Sequence, residues 1–342
     1  MVEAAATAEQ QAHPLLRVED LNIHLPSDGG LLKAVSGVSF QISKGKTLGI
    51  VGESGCGKSI TGKTLLGIQP KHAVTSGSIH LDNVDIAKLK RNGKEIRAIR
   101  GSKIAMIFQE PMTAFSPLYT IGNQIMESIL LHRTKNKQEA KLMAIDILRR
   151  VGISNPEKRF TQYPHEFSGG MMQRAMIAMA LSCEPEVLIA DEPTTALDVT
   201  IQAQVLELMK QLQQEFGMAI IFITHDLGIV AEMCDEVAVM YLGKVVEQAP
   251  VREIFHNPKH PYTRGLLRSI PMIGSRKERL DSIEGTVPIP INRPPMCGFY
   301  ERCKVRIAGV CDKQEVPEVQ LTEDHSVRCF LHGGQDEGGE QS

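Results

Sequence analysis

The eight residues Gly52-Glu53-Ser54-Gly55-Cys56-Gly57-Lys58-Ser59 constrain this chain more than any other stretch. They follow a short apolar run, Leu48-Gly49-Ile50-Val51, and precede Ile60-Thr61-Gly62-Lys63-Thr64-Leu65-Leu66, which can continue as a helix. Strand, glycine loop and helix is the context in which G-x-x-x-x-G-K-[ST] binds phosphate. The glycines let successive backbone N–H groups turn inward and form a concave anion site at a helix N-terminus. In that geometry Lys58 reaches the β- and γ-phosphates and the Ser59 hydroxyl ligates Mg²⁺. Gly52, Ser54, Gly55, Cys56, Gly57 and Ile60 complete the cradle. The loop is read as a site for a nucleoside triphosphate.

Composition narrows the partners. A formal net charge of −2 gives no bulk electrostatic reason to expect nucleic acid or an anionic membrane surface. The first residues have no basic n-region and no apolar h-region, so residues 1–15 are expected to be a disordered leader, not a signal peptide. No run approaches the length of a membrane span, so any membrane association must come through a partner. Of the seven cysteines, Cys56, Cys183 and Cys234 are scattered, while Cys297, Cys303, Cys311 and Cys329 crowd the tail. Without a secretion signal a reducing cytosol is expected, and disulfides are not.

The rest of the chain reads as an α/β protein. Val18, Leu21, Ile23 and Leu25 alternate with polar residues as in a half-buried strand. A turn at Pro26 to Gly30 and a strand from Val35 to Ile42 precede the phosphate loop. Ser78 to Leu81 reads as a further short strand, and the basic stretch from Lys88 to Lys103 as a solvated helix face. Ile104 to Phe108 is a buried strand ending at Gln109. From about residue 110 to 180 the texture turns helical; Ala140, Met143, Ala144, Ile147, Leu148 and Val151 form one apolar stripe. Buried strands then end at Asp191-Glu192 and at His225, with a helix between them, and Glu236 to Gln248 reads as a hairpin. Such alternation predicts a mostly parallel sheet covered on both faces, with a helical subdomain inserted and an antiparallel β subdomain in front. Prolines multiply after Pro250, which places a domain boundary there, between a main domain over 16–250 and an extension over 251–342.

The strand ends carry chemistry. Asp191 sits where open α/β sheets place their ligands and suits the carboxylate that supports Mg²⁺. Glu192, beside it, is placed to act as general base on the attacking water. His225 and Gln109 end two further strands that approach the same phosphate.

In order, Gly52–Ser59, Gln109, Phe167-Ser168-Gly169-Gly170-Met171, Leu188–Glu192, Ala196-Leu197-Asp198 and His225 resemble the motifs of ABC-transporter ATPases: Walker A, Q-loop, signature, Walker B, D-loop and H-switch. The resemblance implies that two ATPase subunits close head to tail over two ATP molecules. Glu192 is then the catalytic base, His225 the switch and Gln109 a residue at the Mg²⁺, while Ser168, Gly169, Gly170 and Asp198 serve the nucleotide at the dimer face. The signature departs from the family norm at Phe167 and Met171, and Leu32 stands where an aromatic residue usually stacks on adenine. A soluble ABC ATPase of DNA repair or of the ribosome fits less well, because about 110 residues separate Lys58 from Ser168 without sustained heptads and there is a single phosphate loop. Intact Lys58, Asp191, Glu192 and His225 speak against a catalytically dead subunit.

A finer resemblance covers nearly the whole chain. Tyr163-Pro164-His165-Glu166, Met172 to Ala180, Asp198 to Gln204, His260-Pro261-Tyr262-Thr263 and Glu284-Gly285-Thr286-Val287-Pro288 are similar to the D-type ATPase subunit of bacterial dipeptide and oligopeptide importers. This implies a paralogous second ATPase subunit, two membrane permeases and a periplasmic peptide-binding protein as partners. It also implies work at the cytoplasmic face of the inner membrane. Related nickel, glutathione and murein-peptide importers use similar ATPases, so the solute stays open. The apolar, proline-broken segment from Pro111 through Phe115 to Tyr119 is expected to grip a permease helix.

Four tail cysteines among prolines and charges read as a bound-metal staple for a segment poor in core. Their spacing lacks the paired knuckles of common zinc sites and does not separate zinc from an iron–sulfur cluster. The family resemblance favours a 4Fe-4S cluster on Cys297, Cys303, Cys311 and Cys329, with His325 or His332 as substitute ligands if the metal is zinc.

Overall fold

A computed structural model describes residues 14–27, 29–195, 197–269 and 283–333. The expected leader falls almost wholly, and Ala196 of the D-loop wholly, outside these residues. The strands, in chain order, are β1 (Leu16–Ser27), β2 (Gly30–Ile42), β3 (Thr47–Val51), β4 (Val74–Leu81), β5 (Val84–Asp85) and β6 (Ile104–Ile107). After a helical stretch come β7 (Val187–Asp191), β8 (Ala219–Thr224), β9 (Glu236–Tyr241), β10 (Lys244–Pro250), β11 (Val319–Thr322) and β12 (His325–Val327).

The alternating sequence at the front folds into an antiparallel sheet ordered β2-β1-β4-β5. Here the strands outrun their sequence signals: β2 begins at Gly30 and β4 at Val74. Pro26, expected in a turn, lies inside β1 and faces Leu31. It is tolerated because β4 pairs with β1 only as far as His24, so at Pro26 one side of the strand has no ladder to lose.

The second sheet runs β11-β12-β10-β9-β3-β8-β7-β6. Strands β9, β3, β8, β7 and β6 are parallel, and β10, β12 and β11 close one edge antiparallel. Strands β3, β6, β7 and β8 are buried along their whole length, the mark of a sheet covered on both faces. Successive residues of β8 serve two cores. Ile221 and Ile223 pack toward the antiparallel sheet with Val18, Ile23 and Leu48, while Ile220 and Phe222 pack toward the helical segment with Ile125, Leu148 and Met176.

Between β6 and β7 lie the helices Pro111–Ala114, Ile121–His132, Lys137–Arg150, Pro156–Phe160 and Gly169–Leu181. In Lys137–Arg150 the buried residues include Ala140, Ala144, Ile147 and Leu148, and Asn136 caps its start by accepting from the N–H of Gln138 and Glu139. The basic stretch is largely solvated, with Lys88, Lys90, Lys94, Arg97 and Lys103 exposed. Only Lys94–Ile99 is α-helical, and the Arg100 guanidinium reaches the carbonyls of Leu66 and Gly67 just past the helix Lys58–Leu65. Arg100 thus satisfies carbonyls that a helix end leaves orphaned.

The tail does not stand apart from the sheet. Beyond Pro250 come the helices Val251–His256 and Pro261–Arg268, and the chain later returns as β11 and β12 to extend the sheet beside β10. Its poverty in apolar residues is made good by the ATPase core, because Tyr262 and Phe299 join the same buried cluster as Tyr241 and Val239.

Candidate functional site

Four strand ends meet at the phosphate loop. β3 delivers the loop, β7 delivers Asp191 and Glu192, β8 delivers His225 and β6 delivers Gln109. Gly57, at φ +103°, is left-handed immediately before the helix Lys58–Leu65, and a Cβ there would meet the Ala34 carbonyl at 2.5 Å. No side chain caps that helix, so its opening N–H groups are left for a ligand. The buried Lys58 ammonium donates to the carbonyls of Gly52 at 2.7 Å and Glu53 at 3.1 Å, which arches the loop around its own lysine. Cys56 is fully buried under the loop, and burial pushes its thiol up.

The Ser59 hydroxyl donates to Asp191 Oδ1 at 2.8 Å. Burial pushes the Asp191 carboxyl up, against that hydrogen bond and the charges of Lys63 and Lys58. A buried carboxylate joined to a hydroxyl in this way is a pair of hard oxygen donors, the chemistry that Mg²⁺ takes from protein when phosphates supply further ligands.

Glu192 is the hub of the site. Its backbone is left-handed, φ +48°, with its N–H donating to the Ile223 carbonyl at 2.9 Å. Its Oε2 accepts from Gln109 Nε2 at 2.9 Å and from the Thr195 hydroxyl at 3.0 Å, and its Oε1 faces His225 Nδ1 at 3.1 Å. A carboxylate only accepts, so this contact puts the proton on Nδ1. Burial works to raise the Glu192 carboxyl, but the bonds from His225 and Thr195 outweigh it and leave the group below its ordinary value. Thr195, the third partner, carried no sequence signal except its place four residues after Asp191.

The signature residues lie elsewhere in the chain's fold. Ser168 caps the helix Gly169–Leu181 by accepting from the Met171 N–H at 3.4 Å, and Asp198 caps the helix Val199–Phe216 through Ile201 N–H at 3.0 Å. A Cβ on Gly170 would stand 3.2 Å from Ile201, so the two helix starts are packed together. A Cβ on Gly169 would meet nothing within 4 Å among the described residues, so none of them requires a glycine there.

Three expectations need correction. Phe115 is buried in the core and cannot grip a partner; Met112, Leu118 and Tyr119 are the exposed apolar residues of that segment. His325 is held by Glu247, Nε2 to Oε1 at 2.9 Å, and His332 Nε2 stands 3.3 Å from the Lys259 carbonyl, so neither is placed as a substitute metal ligand. Both are outside the cavity that Cys297, Cys303, Cys311 and Cys329 line together; the histidine on that cavity is His260. Burial pushes the Cys297 thiol up to about 11, with Cys311, Cys303 and Cys329 acting in the same direction. Among the described residues no three histidine, cysteine or carboxylate side chains stand close enough to hold a metal ion.

Leu32 is backbone-paired with Ile291 of the tail, and the neighbouring Lys33 N–H donates to Pro290 O at 3.1 Å. No helix among the described residues is long and apolar enough to cross a membrane.

Comparison with known proteins agrees with this geometry. A family described as ABC transporter matches residues 35–195, and one described as oligopeptide/dipeptide transporter, C-terminal region, matches 246–311. The dipeptide transport ATP-binding protein DppD of Bacillus subtilis strain 168 is 48% identical over 319 residues, covering 93% of this chain and 94% of that protein. The oligopeptide transport ATP-binding protein AppD of the same strain is 48% identical over 330 residues, covering 96% and 99%. Among solved structures, the dimeric post-hydrolysis state of the ATP-binding cassette MJ0796 bound to ADP and Pi aligns with a TM-score of 0.62 at 25% identity, over 69% of this chain and 99% of that one. The chain therefore belongs to the ATP-hydrolysing subunits of ABC transporters, in the branch that carries the oligopeptide/dipeptide transporter C-terminal region.

Proposed function

We propose that this ATPase energises import of di- and oligopeptides across a bacterial inner membrane. It works from the cytoplasmic face on two permeases fed by a periplasmic peptide-binding protein. Residues 16–250 form the ATPase domain and 251–342 the importer extension. The observation that carries the enzymatic part is the Glu192 carboxylate, held by Gln109, Thr195 and His225 next to the Ser59–Asp191 pair. Support for the peptide cargo is the likeness, nearly end to end, to relatives named for dipeptide and oligopeptide transport.

In this reading Lys58 and the free N–H groups of its helix hold the phosphates, with Ser54, Gly55 and Ile60 completing the cradle. Ser59 and Asp191, with Gln109 alongside, would hold Mg²⁺, which would offset charge on the phosphates. Glu192 takes the proton of the attacking water. Gln109 and Thr195 at Oε2 and His225 at Oε1 hold the carboxylate in position for that task. The open surface at Gly169 supports action in trans: Ser168 and Gly170 meet the γ-phosphate of ATP held by a paralogous second ATPase, and Asp198 orders the loop beside it. A groove lined by Tyr119, Met126, Leu130 and Leu131 takes a cytoplasmic permease helix.

The four tail cysteines hold a 4Fe-4S cluster with a structural or redox-sensing role. That all four line one cavity supports this.

Reconstitution with two permeases, a second ATPase and a binding protein in proteoliposomes tests the function, with ATP-dependent uptake of labelled dipeptide as the expected result. Uptake of nickel or glutathione but no peptide would move the cargo to the alternatives. Anaerobically purified chain should be brown and lose its colour on Cys303→Ser; colourless protein with stoichiometric zinc would overturn the cluster.

A further inference from the structure

The first variable residue of the phosphate loop, Glu53, has every polar group engaged. Its carbonyl accepts from Lys58 at 3.1 Å, its N–H donates to the Tyr262 hydroxyl at 2.8 Å, and both carboxylate oxygens accept from Arg302, at 2.6 and 2.9 Å. The last two partners come from the tail, 209 and 249 residues away. Neither is a surface contact. Tyr262 is fully buried, ringed by Tyr241 at 4.6 Å and Phe299 at 5.4 Å between centroids, and the Arg302 side chain is 5% exposed.

Arg302 is also saturated. Besides the two bonds to Glu53, Nη1 reaches the Tyr241 hydroxyl at 3.4 Å, Nη2 the Ile283 carbonyl at 3.2 Å and Nε the Glu284 carbonyl at 3.0 Å. A planar guanidinium with all its N–H groups spent has one orientation left, and a bidentate carboxylate bound to it has little freedom of its own. The anchoring matters for the ligand because Glu53 opens the arch that closes on Lys58. Its N–H is turned outward to Tyr262, and its carbonyl is one of the two that hold the Lys58 ammonium. A loop already arched loses less conformational entropy when phosphate binds.

We propose that Arg302 and Tyr262 are positioning residues for the nucleotide: the tail braces the phosphate loop through Glu53 and so sets this ATPase's affinity for ATP. The brace is electrostatic on one side and a buried hydroxyl on the other, and neither member needs to touch ATP. Arg302 ends a short turn, Tyr300–Arg302, that lies between Cys297 and Cys303. What the tail holds there is therefore one step from the loop, yet the brace stands whether or not a cluster is bound.

The test is a double-mutant cycle on the full chain, read as the dissociation constant of a fluorescent ATP analogue with Mg²⁺, with thermal melting of the nucleotide-free protein as the folding control. Arg302→Met is expected to weaken binding about tenfold, within the usual range for coupled sites, with Arg302→Lys recovering part of the loss. In a Glu53→Gln background Arg302→Met should add little, because its route to the loop is already cut. Tyr262→Phe, which removes only the acceptor for the Glu53 N–H, should weaken binding by a smaller factor. Unchanged affinity in a folded Arg302→Met protein overturns the brace, and so does an equal loss in both backgrounds. Should Arg302→Met fail to fold, Glu53→Gln alone decides, a similar loss supporting the brace and wild-type affinity overturning it.

Discussion

Replacing Glu192 by glutamine is the sharpest perturbation this site permits. The side chain keeps its length, and the left-handed backbone at φ +48° asks no more of glutamine than of glutamate. The surrounding groups can re-pair: if the amide oxygen stays with Gln109 and Thr195, the new NH₂ faces His225 Nδ1, which accepts once its proton moves to Nε2. Nothing is left orphaned, so ATP affinity should hold and the fold should lose only what the ionised carboxylate contributes at neutral pH. The chemistry is another matter, since an amide takes no proton and a positioned general base contributes about 10²–10⁴-fold. Phosphate release by the assembled transporter should therefore drop at least about a hundredfold. The ATP-bound closed dimer should accumulate and be visible by size-exclusion chromatography. Near-normal turnover in a protein that still binds ATP would refute the assignment of the base.

Glu247, fully buried, accepts from Lys259 N–H at 2.6 Å, His260 N–H at 2.9 Å and His325 Nε2 at 2.9 Å, so Glu247→Ala strands three donors. Urea unfolding should show a loss of about 3–5 kcal/mol, and a loss below about 1 kcal/mol would show the donors finding other partners. Cys234, its thiol pushed up to about 12 by burial, should resist iodoacetamide at neutral pH with Cys56 and Cys183, whose thiols burial also raises. Mass mapping that finds Cys234 alkylated in native protein would contradict that burial. Because the folded Glu192 lies below its ordinary 4.5, the unfolded chain binds the extra proton, so its contribution is present above that pH and lost as pH falls below it. Acid denaturation of Glu192→Gln should be correspondingly less steep, and identical curves would remove Glu192 from the balance. A cysteine at the exposed Tyr119 should cross-link to a permease while one at the buried Phe115 should not; the reverse pattern would reject the groove.

The polar strand ends at the phosphate loop were legible because each combines a local signal with a rule about sheets. An apolar run that ends in Asp191-Glu192 or His225 locates its polar residue at the carboxyl edge, and the phosphate loop supplies the reason for them to meet. Partners that depend on distant pairing left no such trace. Glu53 and Arg302 are 249 residues apart, and each alone reads as a surface charge. The pairing of Leu32 with Ile291 is a main-chain contact, invisible to any pattern of side chains. Phe115 and Tyr119 sit in one apolar run, and only packing tells the core residue from the exposed one. The histidines show the same limit: residue type and proximity in sequence nominated His325 and His332 for the cysteines, whereas Glu247 and the Lys259 carbonyl hold them and His260 lines the cavity.

Proline density after Pro250 is a sound sign of irregular chain, but irregular chain is not a separate unit. A segment with few apolar residues either remains unfolded or borrows a core. This one borrows, and the loan is secured at both ends. Phe299 and Tyr262 enter the ATPase core beside Tyr241, and β12 hydrogen-bonds along β10 with Glu247 beneath it gathering Lys259, His260 and His325. The same β9–β10 hairpin supports the phosphate loop directly, since a Cβ on Gly52 would collide with the Met240 carbonyl at 2.2 Å and Gly243 N–H donates to Cys56 O at 3.0 Å. Hairpin, loop and tail thus form one packed block. Because such blocks shift between discrete arrangements more readily than they deform, a change in the tail has a short physical route to the site where ATP binds.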